Sequence, residues 1–427
     1  MSRQNPLRTR VWRRAGALLA ATGLTAALLL TPASSAVAAQ APATGATFNK
    51  PTGTTTEENA ILSHVGSLVH GATAGSRIRI AMYIFGSQWL ANELVAAKGR
   101  GVQVQVLLDH TSRTNVEGEA TYGLLAGGLG TDPAAPSWVL SCPADGACLG
   151  EDTDPNDAYH PSNHNKFYLL SRTSGAAQDD TLALSNVVVQ SSANLTTWDR
   201  TKAWNDALTV VDNAALYGAY SQYFTDLTAA ALGQRERTDN YPVSAEAGAA
   251  KAYFFPRSGA ADDVIVNILN AVDDPIGSSA TCHGNADGYG TTDGRTVIRI
   301  AVHQITRIEV ARKLWELDNA GCYVDIVYRR LDNTGTAVTD QLTKPTAYGG
   351  IALHQLDDQD DAAATHSKYL LVEGGYLGSP NKKIVFTGSH PYTISALRMN
   401  DEALLKYTDP GVFDAYRKNF WDQRAAA

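Results

Sequence analysis

Little in this 427-residue chain is basic, sulfur-bearing or low in complexity. Lys and Arg total 35 against 43 Asp and Glu, for a net charge of −8. The chain therefore lacks the global positive field that gathers nucleic acid nonspecifically, and any anion site has to be local. The 16 prolines and 36 glycines are too few for a fibrous or repetitive protein. With 44% hydrophobic and 18% charged residues, a fully disordered chain is excluded and a large core is available. The four cysteines show no CxxC spacing, which argues against zinc. Beyond residue 38 no stretch of 18 apolar residues occurs, so no spanning helix is expected there.

What is present begins with a leader. Arg3, Arg8, Arg10, Arg13 and Arg14 precede an apolar run from Ala15 to Leu30, and Ala36-Val37-Ala38 follows. This is the pattern of a signal peptide over residues 1–38, with the Sec or twin-arginine route left open. Removing its five arginines takes the net charge from −8 to −13. A secreted, extracellular, soluble protein is the expectation. An oxidising compartment favours disulfides. Cys142–Cys148 and Cys282–Cys322 are the expected pairs, because each then stays within one half of the chain.

The remaining sequence reads as two similar halves. Ile78-Arg79-Ile80-Ala81 recurs as Ile298-Arg299-Ile300-Ala301. Each opens a strand–helix–strand pattern, with helices expected over about Gln88–Lys98 and Arg307–Asn319. Amphipathic helices near Glu57–Val69 and Ala261–Val272 precede them. The expected fold class is α/β: two pseudo-symmetric halves, each a mixed sheet flanked by helices, packed as one unit. The halves are expected over 39–233 and 251–427, joined by a polar and Ala/Gly-rich linker over 234–250.

Chemistry-bearing residues recur in the same order. His164-Asn165-Lys166 and His366-Ser367-Lys368 each start an apolar strand pattern, which puts an imidazole and an ammonium on one face. Ser191-Ser192-Ala193-Asn194 and Gly388-Ser389-His390-Pro391 are turns. Asn205-Asp206 and Asn400-Asp401-Glu402 then lead into strands. A single HxK is weak; two copies in equivalent places are a far stronger signal. The set suits phosphodiester cleavage. One imidazole attacks phosphorus and the other protonates the leaving oxygen. Lysines hold the non-bridging oxygens, and a carboxylate beside each imidazole fixes its tautomer.

With these motifs the chain resembles the phospholipase D superfamily, whose mark is a duplicated HxKxxxxD motif followed by GSxN. The resemblance covers about Thr47 to Trp421. It implies a phosphohistidine intermediate, with His164 as nucleophile, His366 as general acid, and Lys166 and Lys368 on the phosphate. It further implies Ser192, Asn194 and Ser389 as substrate donors, Glu402 as an orienting acid, and no metal or other cofactor. Asp206 sits nearby in the first-half pattern as a second candidate orienting acid, and either acid is alternatively an ordinary strand-end charge. Ser171 and Glu373 stand where the motif has Asp, and Pro391 where it has Asn.

Tyr83 and His303 sit at equivalent strand ends and are candidate pocket residues, with a structural, hydrogen-bonded His303 as the equal alternative. His110, His160, His354 and His390 read as surface or loop histidines. Asp357–Asp361 reads as a solvated acidic loop. Trp138, Trp198 and Trp204 are either lipid-facing or core. Three functions stay open: a secreted phospholipase D that hydrolyses or transfers a head group, a secreted nuclease or other phosphodiesterase, and an inactive binding module. The expected partner is phospholipid at a membrane surface, with nucleic acid second. No stable protein partner is implied, and a monomer is expected.

Overall fold

A computed structural model describes residues 41–152, 159–259, 261–273, 282–359 and 362–427. The expected leader over 1–38 lies outside them. Strands form where apolar residues alternate or run continuously. Arg77–Met82 and Gln103–Leu108 each bury alternate residues at the start and every residue at the end. Their half-buried rows are tied by Arg77 and Arg79 donating to Gln103 and Gln105. Between them runs helix Gln88–Gly99, capped by Ser87, whose hydroxyl accepts from the Leu90 N–H.

The first sheet has the order Gly45–Phe48, Asp206–Val210, Leu184–Ser191, Lys166–Thr173, Arg77–Met82, Gln103–Leu108, Trp138–Ser141. The second runs Ser244–Ala247, Ala250–Phe254, Ala403–Tyr407, Ser379–Gly388, Lys368–Tyr376, Val297–Ile305, Tyr323–Leu331, Ala352–Gln355. In both, the strand after the HxK pair is antiparallel to the first strand of the βαβ unit, whose own strands are parallel. The duplication read from short sequence matches is thus a duplication of sheet topology.

Two long helices join the halves. Ala214–Ala231 packs on strands of the first sheet and on Ala250–Phe254 of the second. Pro410–Ala426 packs on the second sheet and on Gly45–Phe48 of the first. One apolar cluster runs through both halves, from Phe167, Tyr220 and Phe224 to Phe254, Tyr369 and Phe413. A short parallel ladder, Ala203–Trp204 with Ala364–Thr365, crosses between them.

The connection between halves is shorter than the expected 234–250. Ser244–Ala247 and Ala250–Phe254 form a hairpin of the second sheet. The Ala/Gly-rich stretch is its two-residue turn, with Gly248 at a φ of +70° that a side chain would oppose. Trp138 and Trp204 are 3% and 5% exposed and belong to the core, not to a lipid-facing loop. Trp138 stacks on Phe224.

Both expected cysteine pairs are formed, across separations of six and 40 residues. Chain entropy makes the longer loop the more stabilising, at about 4 kcal/mol against about 2 kcal/mol. Replacing Cys282 and Cys322 by Ala should therefore lower the urea midpoint more than replacing Cys142 and Cys148. The reverse order would show that the long loop is held chiefly by other contacts.

Candidate active site

His164 and His366 each stand just ahead of a strand that opens with Lys166 or Lys368. Each lysine turns back, its Nζ donating to the carbonyl of its own motif's histidine, at 2.7 Å for Lys166 and 2.6 Å for Lys368. The two motifs are framed alike. The Tyr83 N–H donates to Asn165 O, and the His303 N–H to Ser367 O. The Tyr83 ring lies 5.1 Å from the His164 ring, and the His303 ring 5.0 Å from that of His366. Both strand-end residues expected at the pocket are there.

Each histidine is held by the opposite half. The His164 N–H donates to Asp401 O, and the His366 N–H to Trp204 O. His164 Nδ1 lies 2.9 Å from Glu402 Oε1. His366 Nδ1 lies 2.9 Å from Asn205 Oδ1 and 3.3 Å from Asp199 Oδ1. The Asn205 amide is oriented by its neighbours, since its Nδ2 donates to the carbonyls of Asp199 and Ala203. In both cases the carbonyl or carboxylate oxygen favours the tautomer with the proton on Nδ1, leaving Nε2 for chemistry.

Asp206 therefore does not orient His366, contrary to the sequence expectation. It is fully buried, and its Oδ2 accepts from the hydroxyls of Thr387 and Tyr416. The counterpart of Glu402 is Asn205. Ser389 Oγ donates to Glu402 Oε2, and Ser192 Oγ donates to Asn205 Oδ1, each across 13 residues. That equal spacing was available in the sequence. Asp199 had no such signal: it lies in the short helix Thr197–Thr201, whose N-cap is Thr196, with the Thr196 hydroxyl accepting from the Asp199 N–H.

The serine turns also differ from expectation. Ser192 and Ser389 are fully buried behind Asn205 and Glu402, so their hydroxyls position the positioning residues and do not line the cavity. Asn194 is 7% exposed, and its N–H and Nδ2 donate to Asp199 Oδ1. The motif departures fall away from the histidines. Ser171 Oγ accepts from the Arg77 N–H, and Glu373 bridges Arg299 and Arg417.

His164 and His366 line one cavity of about 590 Å³, together with Tyr83, Tyr159, His303 and Pro391. His110 and His160 line it as well, so they are more than surface histidines. His390 is fully buried against Phe255 with both ring nitrogens unpartnered, and burial pushes it down to about 4. His354 pairs with Asp325. Asp357 and Asp358 are held by Arg329, while Asp360 and Asp361 lie outside the described residues. Trp198, alone of the three tryptophans, sets its ring against the site, edge-on to His366.

Burial depresses both histidines well below their ordinary range, and Lys166 and Lys368 depress them further. Burial likewise lowers Lys166, and brings Lys368 down to about 7. It raises Glu402 to about 7. Cys142, Cys148 and Asp401 form a cluster of ligand-type atoms, but every one is committed. The cysteines are bridged, and the carboxylate accepts from the N–H groups of Cys148, Leu149 and Gly150.

The chain matches the family described as cardiolipin synthase, PLD-like domain, over residues 71–228 and 293–424. It belongs to the phospholipase D superfamily. Phosphatidylserine synthase from Haemophilus influenzae shares the fold, with a TM-score of 0.55 at 12% identity over 89% of this chain and 85% of that one. Polyphosphate kinase from Porphyromonas gingivalis superposes at 0.51 and 12% identity over 86% of this chain. This phospholipase D-like chain spans about half of that kinase, 48% of its length. Among curated proteins none matches by sequence. Membership of the superfamily supports a phosphodiesterase-type activity.

Asn205→Asp tests the assignment at His366. A carboxylate in place of the amide oxygen should raise the His366 pKa by roughly one unit or more, read by NMR of the imidazole. An unchanged titration would mean that residue 205 does not hold the ring.

Proposed function

We propose that the chain is a secreted phospholipase D-like enzyme that cleaves the head group from a phospholipid, or transfers it to another alcohol. The observation that carries the reading is the meeting of one imidazole from each half in a single cavity, with a lysine behind each. His164 Nε2 attacks phosphorus; an N–P bond forms and the P–O bond to the head group breaks. The leaving oxygen takes the proton from His366. Water or a second alcohol then gives its proton to His366 while its oxygen attacks phosphorus and the N–P bond breaks. Lys166 and Lys368 stabilise the charge on the phosphate oxygens.

The cavity favours a lipid over a nucleic acid. None of its described lining residues is Lys or Arg, so no cationic track follows a polyphosphate strand. Ile394, 51% exposed, lies on its wall with Pro143 and Ala144. Among the described residues no helix is long and apolar enough to cross a membrane, and two disulfides are formed. The disulfides are compatible with export to an oxidising compartment, where the chain would work at a lipid surface.

His164→Ala and His366→Ala should each lower turnover by roughly 10³-fold or more with the fold kept. The double variant should be little worse than either single one. Head-group release from mixed phospholipid vesicles, beside cleavage of single- and double-stranded DNA, decides the substrate. DNA cleavage without lipid turnover would transfer the same chemistry to a nuclease.

The pH dependence follows from Lys368. Only the protonated ammonium holds phosphate, and burial brings its pKa down to about 7. As pH rises through that value the free enzyme loses the charge, so kcat/KM should fall on the alkaline side. Lys368→Arg keeps its charge, and the limb should vanish from its residual activity. Persistence of the limb would assign it to another group.

A further inference from the structure

A second cavity, of about 300 Å³, lies in the second half and shares no lining residue with the histidine cavity. Three cations line it, Lys251, Arg257 and Lys406, against two carboxylates, Glu246 and Asp262. Lys251 and Lys406 are direct partners across antiparallel strands. Like charges so placed repel, and a fold gains nothing from the arrangement itself. Glu246, the partner on the other side, neutralises one of them, at 2.7 Å from Lys251 Nζ.

Lys406 and Arg257 have no such partner. Among the described residues no carboxylate lies within ion-pair distance of either. The Lys406 ammonium stands 5.2 Å over the Tyr376 ring. Arg257 is only 5% exposed. Its Nε and Nη2 donate to the Phe254 and Val243 carbonyls and to Ser244 Oγ, while among the described residues none accepts from Nη1. Asp262 and Glu246 act on Arg257 and Lys406 only from beyond ion-pair distance, so a buried guanidinium and a half-buried ammonium facing a second one are incompletely compensated and gain from a further anion. Tyrosine faces offset part of that cost. Val264, Ile268 and Leu377 give the wall an apolar stretch, beside the Asn267 amide.

The geometry points to a binding site here for a small organic anion, a phosphate or carboxylate carried on an apolar or planar body. The charged group sits between Arg257, Lys251 and Lys406, and the body against the tyrosines and the aliphatic wall. This site does not depend on what the histidines do.

Isothermal titration at low ionic strength, with phenyl phosphate and with benzoate, tests it. The full chain is compared with its Lys251→Gln/Lys406→Gln variant. In the variant one class of site should be lost, or weakened roughly tenfold or more, with at least one of the two anions. Any binding at the histidine cavity is common to both proteins and cancels from the comparison. Inorganic phosphate, lacking the body, should bind the second site more weakly than phenyl phosphate. Lys406→Gln alone serves the same comparison if the double variant does not fold, which circular dichroism reports. Isotherms that superimpose for both anions overturn the proposal, and equal affinity for inorganic and phenyl phosphate overturns the apolar part of it.

Discussion

Each catalytic-type histidine is fastened, through backbone and ring alike, to the half of the chain that does not carry it. The His164 N–H and Nδ1 go to Asp401 and Glu402, and the His366 N–H and Nδ1 go to Trp204 and Asn205. Neither imidazole has its tautomer set until the halves have docked. The apolar cluster that unites them is therefore part of the site's construction and not only of its stability. It brings Phe167 and Phe224 against Phe254 and Phe413, a few residues from the strands that present the motifs. A change that loosened this packing would misplace both rings at once. In well-packed interiors even small shifts are transmitted.

That construction places several ionisable groups where charge is costly. Burial alone pushes the histidines and lysines towards neutrality and Glu402 towards protonation. Hydrogen bonds to the groups that hold the rings offset part of this cost. Ser389 and Asn400 donate to Glu402, and Ser192 donates to Asn205. The site thus holds cations at a cost that an anion relieves. A phosphate diester beside Lys166 and Lys368 would stabilise their charged forms and raise the proton affinity of His366. Binding and protonation of the acid are coupled through the substrate's own charge.

The sequence made the architecture legible because the same signals recur twice. HxK strands, serine turns and βαβ units return in order, and the structure lays them at matching places in two sheets. Less was legible where one pattern serves two purposes. The alanine- and glycine-rich stretch before Lys251 has the composition of a flexible linker, yet its register closes a two-residue hairpin turn. Asp206 looks more acidic than Asn205 and so more suitable beside an imidazole. The choice between them depends on counting from the serine, because a shift of one along a strand turns a side chain to the other face. Asp199 reaches His366 from a helix start, and no spacing rule ties that element to the HxK motif.

The substitution of an amide for a carboxylate makes the two histidines unequal, and the inequality matches the two roles in the proposed reaction. A phosphorylated imidazole with a proton on Nδ1 carries positive charge in its ring. Glu402, 2.9 Å from His164 Nδ1, is placed to neutralise it. The acid has a different need, since it must release its proton to the leaving oxygen within the same step. A carboxylate in full contact would hold that proton more strongly. At His366 the close contact is instead a neutral amide oxygen, with the Asp199 carboxylate at the longer 3.3 Å. Asp199 is shared with the Asn194 and Thr196 groups, which draws part of its charge away from the ring. His366 is thereby oriented as firmly as His164 but stabilised less as a cation. Pseudo-symmetry in the backbone thus coexists with a division of labour set by one amide.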